Sequence, residues 1–187
     1  MAELLVFVLL ATTWLIPAAG RERLALVALL VQYLAVAGLA AFALMPMLAI
    51  AKAVVGVFTA VMLFVGGQTG APAALSSRIE LRFLALAQML AFAIALGLSR
   101  SYPLPVGSGV LSFGAYWLAL AGLLTLATAR RGRRLAHALL MFDSAIYLLV
   151  AGYVESPAPI IFAMLLLGNL LLALSGAFLV ALERETT

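Results

Sequence analysis

The sequence predicts an all-α polytopic membrane bundle of seven transmembrane helices, with the N-terminus outside and the C-terminus cytoplasmic. Three observations carry that prediction. Of 187 residues, 67% are hydrophobic and only 10% charged, with a mean hydropathy of +1.25; a soluble domain runs at about half apolar and a quarter charged. Apolar runs of about 20 residues, the length that crosses a hydrocarbon core, recur along the chain. The arginines then fall almost wholly on one side of those runs, as the cytoplasmic loops of membrane proteins do.

The runs are 3–19, 24–44, 48–66, 83–99, 109–129, 135–153 and 159–182. The first ends in Pro17-Ala18-Ala19-Gly20, which has the small residues of a cleavage site. A signal peptide opens on positive charge, however, and this segment offers only Glu3, so it reads as a retained span. The second and third runs meet at Pro46 with no polar residue between them. A single helix from Leu24 to Gly66 would be about 64 Å long, twice the hydrocarbon thickness, so the chain must turn at that proline. The fourth run lies between Arg82 and Arg100, and the fifth follows the Pro103/Pro105 loop. The sixth follows a basic turn and the seventh begins at Pro159.

Charge placement tests the count. Seven spans put Arg21, Arg23, Arg78, Arg82, Arg130, Arg131, Arg133, Arg134 and Arg184 on the cytoplasmic side and only Arg100 on the other. Fusing the second and third spans spoils this to seven against three. The basic surplus, which gives a pI near 10.0, is thereby explained without a nucleic-acid partner. The run at 130–134 could also hold an anionic lipid headgroup. No cysteine is present and there is one histidine, so thiol chemistry is excluded and no cofactor or metal site is expected. The connections, the longest being 67–82 and 100–108, leave no room for an extramembrane domain. No 20–50-residue repeat is visible.

Function must therefore sit among the helices. Asp143 lies eight residues into the sixth run, about 12 Å from its cytoplasmic edge. Burial there brings its protonated and ionised forms both within reach, as a proton relay requires. Tyr147, at i+4, shares its face and could hydrogen-bond the carboxyl. Lys52 lies about 6 Å inside the outer edge of the third run and is expected to snorkel to the headgroups or to meet a neighbouring subunit. On those depths Lys52 and Asp143 differ by about 12 Å, which makes direct pairing awkward. His137 opens the sixth run and could pass protons inward, though six residues' separation puts it on a different face from Asp143. Gln32, Tyr33, Gln88 and Asn169 are neutral polar groups of the kind that bond across helices, and Ala93/Gly97 and Gly168/Gly176 are spacings that allow close approach.

The last three runs resemble a known family. Residues 109–185 read as a helix ending in Ala129-Arg130-Arg131-Gly132-Arg133-Arg134, a helix with an acid at its middle, a short turn and a last helix ending in charge. This looks like the three-helix K subunit of complex I, a fold shared by the C subunit of multi-subunit sodium/proton antiporters and the E component of hydrogenase-4. In that family the helix after the basic turn carries a glutamate preceded by Gly-Leu; here Leu140-Met141-Phe142-Asp143 occupies the place. The resemblance implies that Asp143 takes the part of the first proton-relay carboxylate. The family's next helix usually carries a second glutamate, where this chain has Leu167-Gly168-Asn169-Leu170, and asparagine holds no proton. It also implies a single transmembrane domain, 1–187, made of a four-helix part (1–99) and the K-subunit-like part (109–185). That length is similar to the hydrogenase-4 E component.

The reading that follows is a non-catalytic integral subunit of a complex I-like, hydrogenase-like or antiporter-like assembly in the cytoplasmic (inner) membrane. It would move protons or sodium, with redox cofactors left to partner subunits. Two alternatives stand beside it. One is an independent small transporter, against which the two halves show no clear pairing. The other is a purely structural subunit in which Asp143 and Asn169 only join helices. The proton-pathway candidates are Asp143, Tyr147, His137, Lys52 and Asn169.

Overall fold

A computed structural model describes residues 2–18, 22–44, 46–67, 78–106, 108–129, 132–154 and 158–185. They form α1 (Ala2–Ala18), α2 (Glu22–Ala40), α3 (Pro46–Gly67), α4 (Arg78–Ser101), α5 (Gly109–Ala127), α6 (Gly132–Tyr153) and α7 (Pro159–Glu185). Among the described residues there is no strand. Five helices, α3 to α7, are long and apolar enough to cross a membrane; the apolar stretches of α1 and α2, Ala2–Leu15 and Leu24–Ala40, are shorter. Arg21, Arg130, Arg131, the small residues Ala19 and Gly20, and most of the 67–82 connection lie outside the described residues.

The chain does turn before Pro46. Regular helix stops at Ala40, four residues short of the apolar run's end, and Ala41–Leu44 continue as turns held by Leu44 N–H to Ala40 O at 2.8 Å. Pro46 then opens α3, as Pro159 opens α7. Proline suits the first helical position because the donor it lacks would find no intrahelical acceptor there.

Sequence neighbours other than α3 and α4 pack antiparallel. Gly122 of α5 faces the backbone of Ala138 and Phe142 in α6, and Gly176 of α7 faces Ala136 of α6. At both crossings a Cβ would lie 3.2 Å or less from the other helix, so the absent side chain sets the approach. Gly97 and Gly168, by contrast, have nothing within 4 Å of a Cβ. Of the small-residue positions expected to mediate packing, only Gly176 does so.

A second order crosses the first. Helix α1 lies on α5, α2 on α6 and α3 on α7. The pairs run parallel: Leu9 sits by Gly114 and Thr13 bonds Trp117, while Thr59 bonds Asn169 and Gly66 sits by Ala177. Two three-helix units are thus stacked in register, with α4 outside them against α5. The stack encloses two four-helix compartments that share the α2–α6 contact: α1/α2/α5/α6 and α2/α3/α6/α7.

The apolar core follows this frame in two clusters along the bundle. Leu9, Leu39, Leu111, Leu148 and Phe162 fill the end where the odd-numbered helices begin. Leu29, Leu63, Trp117, Leu140 and Ala173 fill the other. The α4–α5 connection closes the first end, with Val106 N–H bonding Gly152 O at 2.8 Å and Leu104 N–H bonding Ser112 Oγ at 3.0 Å. Outward, α7 presents Ile160, Met164, Leu167, Leu171, Leu174 and Phe178, alternating four and three apart. That apolar outer stripe, with Asn169 on the inner face, is the reverse of a soluble helix and suits a lipid or protein surround.

Candidate functional site

Between the two apolar clusters the α2/α3/α6/α7 compartment holds a polar layer. It is built from one stripe on each helix. On α3, Lys52, Gly56 and Thr59 fall at i, i+4 and i+7, which places them on one face. Helix α6 contributes Asp143 from the middle of its 22 residues, α7 contributes Asn169, and α2 contributes Tyr33.

Lys52 is completely buried and its Nζ lies 3.1 Å from Asp143 Oδ2. The expected snorkelling and subunit contact of Lys52 are therefore both corrected: the lysine points inward and its partner is in the same chain. The helices begin at Pro46 and Gly132 rather than at 48 and 135, which removes about 7.5 Å of the expected 12 Å offset. Measured from the end that they share, Lys52 is six residues in from Pro46 and Asp143 ten residues in from Tyr153, a difference of about 6 Å. A lysine side chain spans about that distance.

The ammonium is also placed between two aromatic rings, 5.0 Å from the centroid of Tyr33 and 4.8 Å from that of Tyr147. Both ring faces attract a cation, the more so away from water. Gly56 makes the Tyr33 contact possible, since a Cβ there would lie 2.5 Å from Tyr33 Cβ and 2.7 Å from its Cγ. Tyr147 shares the Asp143 face as expected, but its hydroxyl does not reach the carboxyl. Lys52 occupies that space, so the ring lies against the ammonium and the hydroxyl donates past it to Leu48 O at 2.9 Å.

Asn169 binds the layer together. Its Nδ2 donates to Asp143 Oδ2 and, at 2.7 Å, to the Tyr33 hydroxyl. Its Oδ1 accepts from Tyr33 at 3.1 Å and from Thr59 Oγ1 at 3.0 Å. A carboxylate can only accept, so the amide must turn its nitrogen toward Asp143. One anion, one cation and three neutral groups from four helices thus satisfy each other with almost no water contact. Taking such ions out of water costs several kcal/mol each, which the pairing offsets only while both charges are present.

The other sequence candidates lie elsewhere. His137 is buried on α6, and its Nδ1 is 2.8 Å from Arg133 O. It stands about 9 Å along the helix from Asp143 and on another face. Gln32 and Gln88 are buried too, but their amides find no hydrogen-bond partner among the described residues, so neither joins helices there as expected. Sequence reasoning missed Thr59 and Gly56, although their spacing from Lys52 is a legible signal. It also missed the bond from Trp117 Nε1 to Thr13 Oγ1 at 3.0 Å, which ties α5 to α1.

Among the described residues no group of three or more His, Cys, Asp or Glu could hold a metal ion. Chemically, the layer can hold a proton on either member of a charge pair. Comparison with family models, with curated proteins and with solved structures finds no match.

Proposed function

We propose that this chain is a non-catalytic integral membrane subunit of a complex I-like, hydrogenase-like or antiporter-like assembly, and that Asp143 lies on its proton or sodium path. The observation that carries the proposal is the Lys52–Asp143 pair, buried among four helices with Asn169 on the same carboxylate oxygen. An ionisable pair at such a depth is costly, and ion pathways are where membrane proteins keep them. In this reading α1 and α2 also span, giving seven crossings of the cytoplasmic (inner) membrane with the N-terminus outside. The resemblance of residues 109–185 to the K-subunit family supplies the partners: large membrane subunits, with redox cofactors carried by others. Lys52, from the part outside that resemblance, would then set the charge of Asp143 in place of a second acid.

The structural-subunit reading is kept alive by one observation: Asn169 stands where a relay would place its second carboxylate, and its hydrogen bonds are filled. Replacing Asp143 with Asn separates the two. In membrane vesicles carrying the assembled complex, identified by co-purification in mild detergent, the relay reading expects substrate-driven ion translocation to fall at least tenfold with assembly intact. Assembly intact with undiminished translocation would leave Asp143 a packing residue. A tagged chain that purifies alone, even after crosslinking in the native membrane, would remove the partner assignment.

A further inference from the structure

We infer that Lys52 is a built-in counter-cation that neutralises Asp143 where a sodium ion otherwise would, so that the site exchanges protons and excludes sodium. This deepens the path proposed for Asp143 by naming its ion. The oxygens that could ligate a metal cation in this layer are the Asp143 carboxylate, Asn169 Oδ1, Thr59 Oγ1 and the Tyr33 hydroxyl. Of these only the carboxylate holds the lysine ammonium, at 3.1 Å, while the other three are tied to one another through Asn169. Being part of the same chain, the ammonium is held at the carboxylate without having to be drawn from solution. The rings of Tyr33 and Tyr147 flank it, and Gly56 lets Tyr33 close in.

The neutral groups are also committed to one another and to the carboxylate rather than free for a metal. Asn169 turns its nitrogen, not its oxygen, to the carboxylate, and its Oδ1 already accepts from both Tyr33 and Thr59. A sodium ion would need those oxygens free as ligands, whereas they are already engaged with one another. A proton needs no such ligands. As one bonds to an Asp143 oxygen, Lys52 can release another: one O–H bond forms, one N–H bond breaks, and the net charge of the layer is unchanged.

The test uses the full-length protein in detergent, with unfolding followed by tryptophan fluorescence while NaCl replaces choline chloride at constant ionic strength. Wild type is expected to show no sodium-specific shift in its unfolding midpoint, and Lys52→Arg, which keeps the cation, none either. Lys52→Met is expected to gain a midpoint rise that tracks sodium and disappears in Lys52→Met/Asp143→Asn, because the carboxylate has then lost its cationic partner. A sodium-dependent rise in wild type that Asp143→Asn abolishes overturns the inference, whether or not Lys52→Met can be purified. So does a folded Lys52→Met protein indifferent to sodium. A sodium-binding wild type would still leave Asp143 on an ion path, whereas undiminished translocation by Asp143→Asn would remove the path without bearing on this titration.

Discussion

Replacing Lys52 with methionine removes the ammonium 3.1 Å from Asp143 Oδ2 and keeps most of the side-chain volume. Replacing Asp143 with leucine does the converse. Each single change strands one buried charge, which costs about 3–5 kcal/mol when a buried pair is broken. The two costs should differ. In Lys52→Met the stranded carboxylate keeps the Asn169 amide and has 9% of its side chain exposed, placing the loss near 3 kcal/mol. In Asp143→Leu the stranded ammonium is fully buried with only two ring faces for company, placing the loss near 5 kcal/mol. The double variant strands neither charge. It forfeits the Asn169 donor's partner, about 1–2 kcal/mol, and should otherwise lie close to wild type. The expected coupling is therefore about 6 kcal/mol, many times the error of a double-mutant cycle. Reversible unfolding in mixed detergent–SDS micelles, read by helical circular dichroism, gives all four values. Single-variant losses that simply add in the double variant would refute the idea that these charges stabilise each other.

Two further predictions test the frame around the pair. Gly56→Ala drives a methyl to 2.5 Å from Tyr33 Cβ and should cost about 1–3 kcal/mol by overpacking, whereas Gly168→Ala, with nothing within 4 Å, should stabilise by up to about 1 kcal/mol through helix propensity; the same micelle unfolding compares them. Tyr147→Phe loses only the bond to Leu48 O, about 1 kcal/mol, while Tyr147→Leu also loses a ring face from Lys52 and the edge contact with Phe162, and should cost at least about 2 kcal/mol more by the same measurement.

Most of the helix pattern was legible because membrane helices are set by local terms: apolar length, proline at a first turn, and the cost of an unpaired backbone. The turn before Pro46 and the start of α7 at Pro159 follow from those alone. The depth of Lys52 was not legible to the needed accuracy. Two boundary shifts of two and three residues, from 48 to Pro46 and from 135 to Gly132, take about 7.5 Å off a 12 Å mismatch and bring the pair within reach of a lysine side chain. Tyr147 was given the correct face but the wrong acceptor, because periodicity reports which side of a helix a residue occupies and not what already fills the space there. The stacking of two three-helix units was hidden because it joins residues far apart in the chain. Its contacts link positions 104 to 111 residues apart, from Thr13–Trp117 to Gly66–Ala177. A search for short repeats cannot see it.

The two members of the charge pair are 91 residues apart in the chain, and during synthesis they do not arrive together. At roughly 5–20 residues per second, α3 precedes α6 into the membrane by about 5–20 s. Throughout that interval Lys52 has no carboxylate. Its position, six residues from the start of α3, lets the ammonium reach the helix end and its water until Asp143 comes. Asp143, at the centre of α6, has no comparable refuge and needs its partner at once. The order of synthesis, with the shallow lysine first and the deep acid last, means that each charge enters the membrane only when something is ready to receive it.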